Sequence, residues 1–112
     1  MARINYVELP VADAKASKSF YETAFGWRMT EFGPTYAATT DGDVDMGLQG
    51  DASEATRAPL VVIEVEGLEA WPAKVQAAGG TIVRPIFTFP GGRRFHFTDP
   101  SGNELAVVET DH

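Results

Sequence analysis

Apolar and polar residues alternate in short runs along most of this chain, and two helical stretches interrupt them. Residues Ile4–Val11 place Val7 and Leu9 against Tyr6 and Glu8, the period-two signature of a half-buried strand. Asp13 then suits a helix N-cap, and Phe20, Tyr21, Ala24 and Phe25 recur at helical spacing until Gly26 stops the helix. Three short strands are predicted next, over Trp27–Phe32, Thr35–Thr40 and Val44–Gln49, with "TDGD" as the hairpin turn between the last two.

The polar stretch "QGDASEATRAP" reads as a linker, and after it the pattern begins again. "PLVVIEVEG" gives a strand; Leu68, Trp71, Val75 and Ala78 mark a helix face that ends at Gly79-Gly80. Pro72 is tolerated if the helix starts near Glu69, because amides of a first helical turn have no intrahelical partner. Strands Thr81–Phe87, Arg93–Thr98 and Glu104–Glu109 follow, the last two joined by the turn "DPSGN". Strand–helix–strand–strand–strand therefore occurs twice, at a period of about 54 residues.

Parity divides the strand residues into two sets. Val7 and Leu9, Val44, Met46 and Leu48, Val61, Ile63 and Val65, Phe95 and Phe97, and Leu105 and Val107 belong under the helices. The opposite face then carries Tyr6 and Glu8, Asp45, Gly47 and Gln49, Leu60, Val62 and Glu64, Arg94, His96 and Thr98, and Glu104, Ala106 and Val108. If Thr98 sits opposite Glu104, His96 faces Ala106 and Arg94 faces Val108; a slip of one residue would reverse the assignment.

At 112 residues this is expected to be one domain, with modules at about 3–49 and 59–110 and a linker at about 50–58. No apolar run is long enough to span a bilayer and the start lacks the apolar core of a signal peptide. A cytoplasmic protein without a membrane partner is the expectation. A formal net charge of −7 argues against nucleic acid, since Arg84, Arg93 and Arg94 are enough for one small anion only. The absence of cysteine excludes disulfides, thiolate zinc sites and a cysteine nucleophile.

"NYVELPVADAKASKSFYETAFGW", "VQAAGGTIV" and "GGRRFHFTDPSGNELAVVE", above all the segment "FTDPSGN", resemble the vicinal oxygen chelate superfamily. That superfamily includes glyoxalase I, bleomycin and fosfomycin resistance proteins and extradiol dioxygenases. The resemblance implies an α+β fold of two βαβββ modules forming a curved eight-stranded mixed sheet, a glyoxalase-like cup with two helices on its outer face. It also implies a homodimer. In the metalloenzymes the ligands come from the first and fourth strands of each module. Those positions fall here on Tyr6, seven residues before the aspartate of "VAD", on about Gly47, on Leu60 and on Ala106. Leucine and alanine can neither coordinate a metal nor act as a base beside it. The expectation is a cup with no metal and no cofactor.

His96 is then the candidate catalytic residue, as a general base or a hydrogen-bonding group, because an imidazole ordinarily titrates near neutrality. Arg94 is a candidate carboxylate or phosphate clamp, and Tyr6, Glu8 and Gln49 complete the expected ligand-binding wall. The function expected is binding of a small organic molecule, by sequestration or with modest acid–base chemistry through His96. One alternative is a divalent-metal lyase, isomerase or dioxygenase with a non-standard ligand set drawn from Glu8, Asp45, Glu64, Glu104 and His96. The other is a non-catalytic interaction module.

Overall fold

The structure, a computed structural model, describes residues 2–111. Among them eleven elements follow in chain order: strand β1 (Arg3–Pro10), helix α1 (Ala14–Phe25), strands β2 (Thr30–Glu31), β3 (Tyr36–Ala38), β4 (Asp45–Gln49) and β5 (Leu60–Glu64), a single 3-10 turn (Leu68–Ala70), helix α2 (Trp71–Ala77), and strands β6 (Thr81–Phe89), β7 (Gly92–Thr98) and β8 (Glu104–Thr110). The strands form one mixed eight-stranded sheet in the order β2-β3-β4-β1-β5-β8-β7-β6. The sheet and the two helices match the α+β class and the doubled βαβββ order expected from the sequence. No helix among the described residues is long and apolar enough to cross a membrane.

The chain divides into two compact units. The first runs from Tyr6 to Leu60; the second combines residues up to Asn5 with those from Val61 onward, so β1 is shared by both. In the first unit β1 pairs parallel with β4, setting Tyr6 beside Asp45 and Glu8 beside Gly47, while β3 runs antiparallel to β4 and β2 to β3. The second unit repeats this plan, with β5 parallel to β8, β7 antiparallel to β8, and β6 antiparallel to β7.

Local chemistry explains the helix ends. Asp13 caps α1 by accepting from the Lys15 and Ala16 amides at 3.0 and 3.3 Å, which satisfies donors the first turn leaves open. Gly26 ends the helix at φ 72°, a left-handed conformation that side-chain-bearing residues rarely adopt. The second helix is shorter. Its entry is the 3-10 turn, whose Gly67 and Leu68 amides are capped from a distance by the Glu109 carboxylate at 3.0 and 3.3 Å. Arg93 holds the same carboxylate at 3.0 Å and reaches Glu69 as well.

Each unit has its own apolar core on the helix side of its strands. Met29, Ala37 and Leu48 are buried in the first, with Leu9, Met46 and Tyr21 packed around them. Val65, Leu68, Phe95 and Val107 are buried in the second, joined by Ile63, Phe97, Trp71 and Val75. Phe95 and Leu68 are wholly enclosed; burying each such side chain contributes about 1.5–3 kcal/mol. Leu9, Met46, Leu48, Ile63, Val65, Phe95, Phe97 and Val107 are of the apolar parity of the sequence pattern, Met29 and Ala37 are additions to it, and the pairing of His96 with Ala106 and Arg94 with Val108 is the register it suggested.

Two local expectations change, and one strand is irregular. Val44 is exposed and precedes β4 rather than packing under α1. The strand foreseen at Trp27–Phe32 shrinks to Thr30–Glu31, because Met29 turns into the core and its amide donates to the Glu22 carboxylate of α1. In β6, register shifts between Ile82 and Arg84 and between Arg84 and Phe87 break the simple alternation. Pro85 lies at the second of these, where a residue with no amide hydrogen costs the ladder nothing.

Candidate functional site

On the strand face away from α1, the first unit builds a chain of hydrogen bonds. The Tyr6 and Tyr36 hydroxyls lie 2.6 Å apart. Tyr36 donates its one hydroxyl hydrogen to Glu8 Oε1 at 2.9 Å, so Tyr6 is the donor to Tyr36. Glu8 is a buried carboxylate, 4% exposed, and an acidic group is held there at tolerable cost only with donors around it. Burial, then the negative charge of Glu8, pushes the Tyr36 phenol well above its ordinary value, so it stays protonated and remains a donor.

Gly47 makes room for this arrangement. A Cβ at position 47 would overlap both tyrosine hydroxyls. The residue at the family's fourth-strand ligand position is therefore glycine for a steric reason, and oxygen atoms of Tyr6 and Tyr36 fill the space a ligand side chain would take. Tyr6 itself, the only expected ligand position with a donor atom, is engaged with Tyr36. Leu60 and Ala106 are fully buried apolar residues. This set does not fit a metal. Asp45, considered in the alternative ligand set, accepts from Thr39 Oγ1 and the Gly42 amide and so closes its own hairpin. Glu64 pairs with Arg3 and accepts from Thr110. Among the described residues no group of three or more histidine, aspartate and glutamate side chains is placed to hold a metal ion.

Gln49 is not drawn into the tyrosine chain. Its side-chain oxygen accepts from the Asp51 amide at 2.9 Å and braces the turn after β4.

The second unit builds a different cluster. His96 is 2% exposed on the middle of β7, and its Nδ1 lies 2.7 Å from Glu104 Oε2 on β8. Glu104 follows a turn that is itself braced, where the Asp99 carboxylate accepts from the Ser101 and Asn103 amides and from Asn103 Nδ2. With a carboxylate as acceptor, Nδ1 carries the imidazole hydrogen and donates it in a hydrogen bond, which leaves the lone pair on Nε2. That atom is buried and has no hydrogen-bond partner among the described residues. Burial lowers the His96 pKa, Glu104 opposes the shift, and the positive charges of Arg94 and Arg84 add to it. The balance keeps the ring neutral at neutral pH.

Arginines and aromatic rings surround it. Arg84 stands directly opposite His96 on β6, and Phe87 opposite Arg94. The Arg84 guanidinium stacks on Phe87, with Cζ 3.6 Å from the ring centroid. Arg94 Cζ lies 5.4 and 5.3 Å from the Phe87 and Phe89 rings, and the His96 ring 5.8 Å from Phe87. Arg93, of opposite parity, points to the helix side and pairs with Glu69 and Glu109.

Of the five residues singled out from the sequence, the structure thus brings Tyr6 to Glu8, and Arg94 to His96, while Gln49 serves a turn. Tyr36 and Phe87 were not foreseen as members, Glu104 was named only in the alternative metal set, and Arg84 only in an anion-sized cluster with Arg93 and Arg94. Alternation pairs Glu104 with Thr98, one step along the same face from His96, so its reach to the imidazole was within sight. The placement of Arg84 and Phe87 depends on the β6 bulges, whose one sequence sign is Pro85.

Comparison with known proteins agrees with this architecture. Residues 3–107 match the family model described as the Glyoxalase/Bleomycin resistance protein/Dioxygenase superfamily. The Mycobacterium bovis protein "Putative glyoxylase CFP32" is 30% identical over 96% of this chain, which covers 45% of that protein. The chain therefore spans about half the length of the curated relatives it matches. Among solved structures, methylmalonyl-CoA epimerase from Mycobacterium tuberculosis superposes with a TM-score of 0.79 at 17% identity, covering 97% of this chain and 88% of the other. A superfamily member from Vibrio splendidus gives 0.74 at 20% identity, covering 97% and 99%. The Mn(II)-bound glyoxalase from Novosphingobium aromaticivorans gives 0.71 at 22%, covering 97% of this chain and 40% of that one. At such identities the likeness carries the fold alone; the family match, over nearly the whole sequence, carries membership. This chain belongs to the glyoxalase/bleomycin resistance protein/dioxygenase superfamily.

Proposed function

We propose that this protein binds a small organic molecule without a metal, on the strand face that carries His96, and that His96 accepts a proton or hydrogen bond from it. One observation carries the reading. His96 is a buried imidazole whose Nδ1 is held by Glu104 and whose Nε2 has no partner among the described residues. A buried, unmet acceptor costs about 1–3 kcal/mol, and a bound donor would remove that cost. The Glu104 carboxylate fixes the tautomer in which Nε2 is basic, the orientation a general base requires. Arg94 contributes positive charge beside it. The residues at the superfamily's ligand positions, including the glycine beneath two hydroxyls, support a site that works without a Lewis acid.

The reading is tested on chelator-treated protein titrated with a panel of small acids, phenols and carbonyl compounds, following the His96 imidazole by nitrogen-15 NMR. Binding should shift the Nε2 resonance saturably and raise the melting temperature with ligand concentration as a site-binding ligand does. A panel in which nothing moves that resonance would overturn it. Manganese, nickel or zinc should leave the melting curve unchanged. A metal-induced rise abolished by His96→Ala or Glu8→Ala would overturn the metal-free part.

A further inference from the structure

We propose that the aromatic end of α1 is a docking surface for a second copy of this chain. This surface has no part in the reading at His96.

The helical spacing of Phe20, Tyr21, Ala24 and Phe25 marks an apolar face, yet the core of the first unit takes up little of it. Within α1 only Ala14 is buried, and Tyr21 packs at the edge of the core. Phe20 and Phe25 are 59% and 60% exposed, and Trp27, just past the helix, is 41% exposed. Gly26 turns the chain in its left-handed conformation and brings Trp27 back against Phe25 and Tyr21. Ring centroids lie 5.3 Å apart for Phe25 and Trp27, 5.7 Å for Tyr21 and Trp27 and 6.1 Å for Tyr21 and Phe25, with planes within 28° of parallel. Phe20 meets Tyr21 edge-on at 5.0 Å. The four rings form one contiguous patch in which each side chain is held by its neighbours, so little rotamer freedom is left to lose on contact.

Charge selects the occupant. Segment 13–31 carries three acids, Asp13, Glu22 and Glu31, and three bases, Lys15, Lys18 and Arg28, so its formal charge is zero. The formal net charge of −7 therefore resides on the other residues. Two copies repel through those residues and meet across this segment without a like-charge excess. An anionic lipid surface or a nucleic acid is held by a basic excess, and the segment has none. A patch that is neutral overall and built of flat rings is complementary to itself, as a two-fold contact between identical chains requires. Its size sets the strength. With about 150–250 Å² to an aromatic side chain, three half-exposed rings offer roughly 300 Å², against about 800 Å² per partner in a stable complex. The contact is therefore weak and reversible.

Sedimentation velocity on the parent protein, from low micromolar to submillimolar concentration, should show a monomer–dimer equilibrium that strengthens as salt screens the repulsion between acidic copies. Phe20→Lys and Phe25→Lys each place a charge in the patch at an exposed position and should raise the dissociation constant about tenfold or more, with circular dichroism unchanged. If one of the two misfolds, the other decides. Both lower the net negative charge, so greater repulsion between whole chains cannot explain the loss. Val83→Lys makes the same charge change at an exposed apolar residue of β6 and should leave the constant as it was. A parent that stays monomeric throughout overturns the proposal, whether or not it binds phosphatidylcholine vesicles as an alternative occupant. So does a dimer that both patch variants preserve, or one that Val83→Lys disrupts equally. Association that weakens with salt also overturns it, since opposite charges rather than apolar rings would then hold the copies together.

Discussion

The two units share a strand plan and differ in how they treat polar groups on the face away from the helices. In the first, Tyr6, Tyr36 and Glu8 form a chain, each hydroxyl hydrogen spent on the next oxygen, with Gly47 cut back to admit them. In the second, the His96–Glu104 pair stops short: one ring nitrogen is bound and the other has no partner among the described residues. On the proposed reading the unmet imidazole nitrogen is where a ligand's donor would be received, so that one module plan would carry a hydrogen-bonded network in one unit and a binding group in the other.

The sharpest way to break this contrast is Gly47→Ala. A methyl group at 47 must displace two half-buried tyrosine hydroxyls in the first unit, and the expected loss is about 2–3 kcal/mol by denaturant unfolding. A variant as stable as the parent would mean the tyrosine pair is free to move aside. Next comes Tyr36→Phe, which takes a donor from the buried Glu8 carboxylate. We expect about 1–2 kcal/mol of destabilisation, with no change in ligand affinity at His96. Altered affinity would mean that the two networks act as one.

Asp13→Ala removes the cap of α1 and should cost about 1 kcal/mol, read as a lowered melting temperature. Asp13→Asn should keep most of that stability, because the isosteric amide side chain still offers an oxygen to the same two backbone amides. Equal losses in the two variants would mean that the cap contributes through its charge rather than through its hydrogen bonds.

The smallest expected effect concerns pH. Burial depresses the His96 pKa below its ordinary value, so the unfolded chain takes up a proton more readily than the folded one. The stability associated with a neutral His96 is therefore complete above about pH 6.5 and declines as pH falls from there toward the folded-state value. Unfolding measured between pH 7 and 5 should show this slope in the parent and not in His96→Gln. Asp99 and Glu109, held below the ordinary carboxylate range by their hydrogen bonds to backbone and side-chain donors, remain ionised throughout that interval. An identical slope in both proteins would remove His96 as its source.

Much of this organisation could be read from residue order. Asp13 and Gly26 bound α1 because capping is a local interaction, and the parity of Phe95, His96 and Phe97 placed the imidazole on the correct face because β7 is regular. Where chemistry crosses between strands, legibility falls. Tyr36 reaches Glu8 across 28 positions of sequence, and nothing near Tyr36 announces it. Arg84 and Phe87 escaped because bulges shift parity and only Pro85 hints at them. The capping of the 3-10 turn by Glu109, 42 residues away from Gly67, lies beyond any local rule.

The irregularity of β6 has one more effect. It is the terminal strand of the sheet and nine residues long, a length at which an open row of amides and carbonyls invites strand addition by another chain. Pro85 removes one donor from that row and the two register shifts disrupt its spacing. An incoming strand would meet a broken template, so the same irregularities that aim Arg84 and Phe87 also guard the molecule against polymerising along its margin.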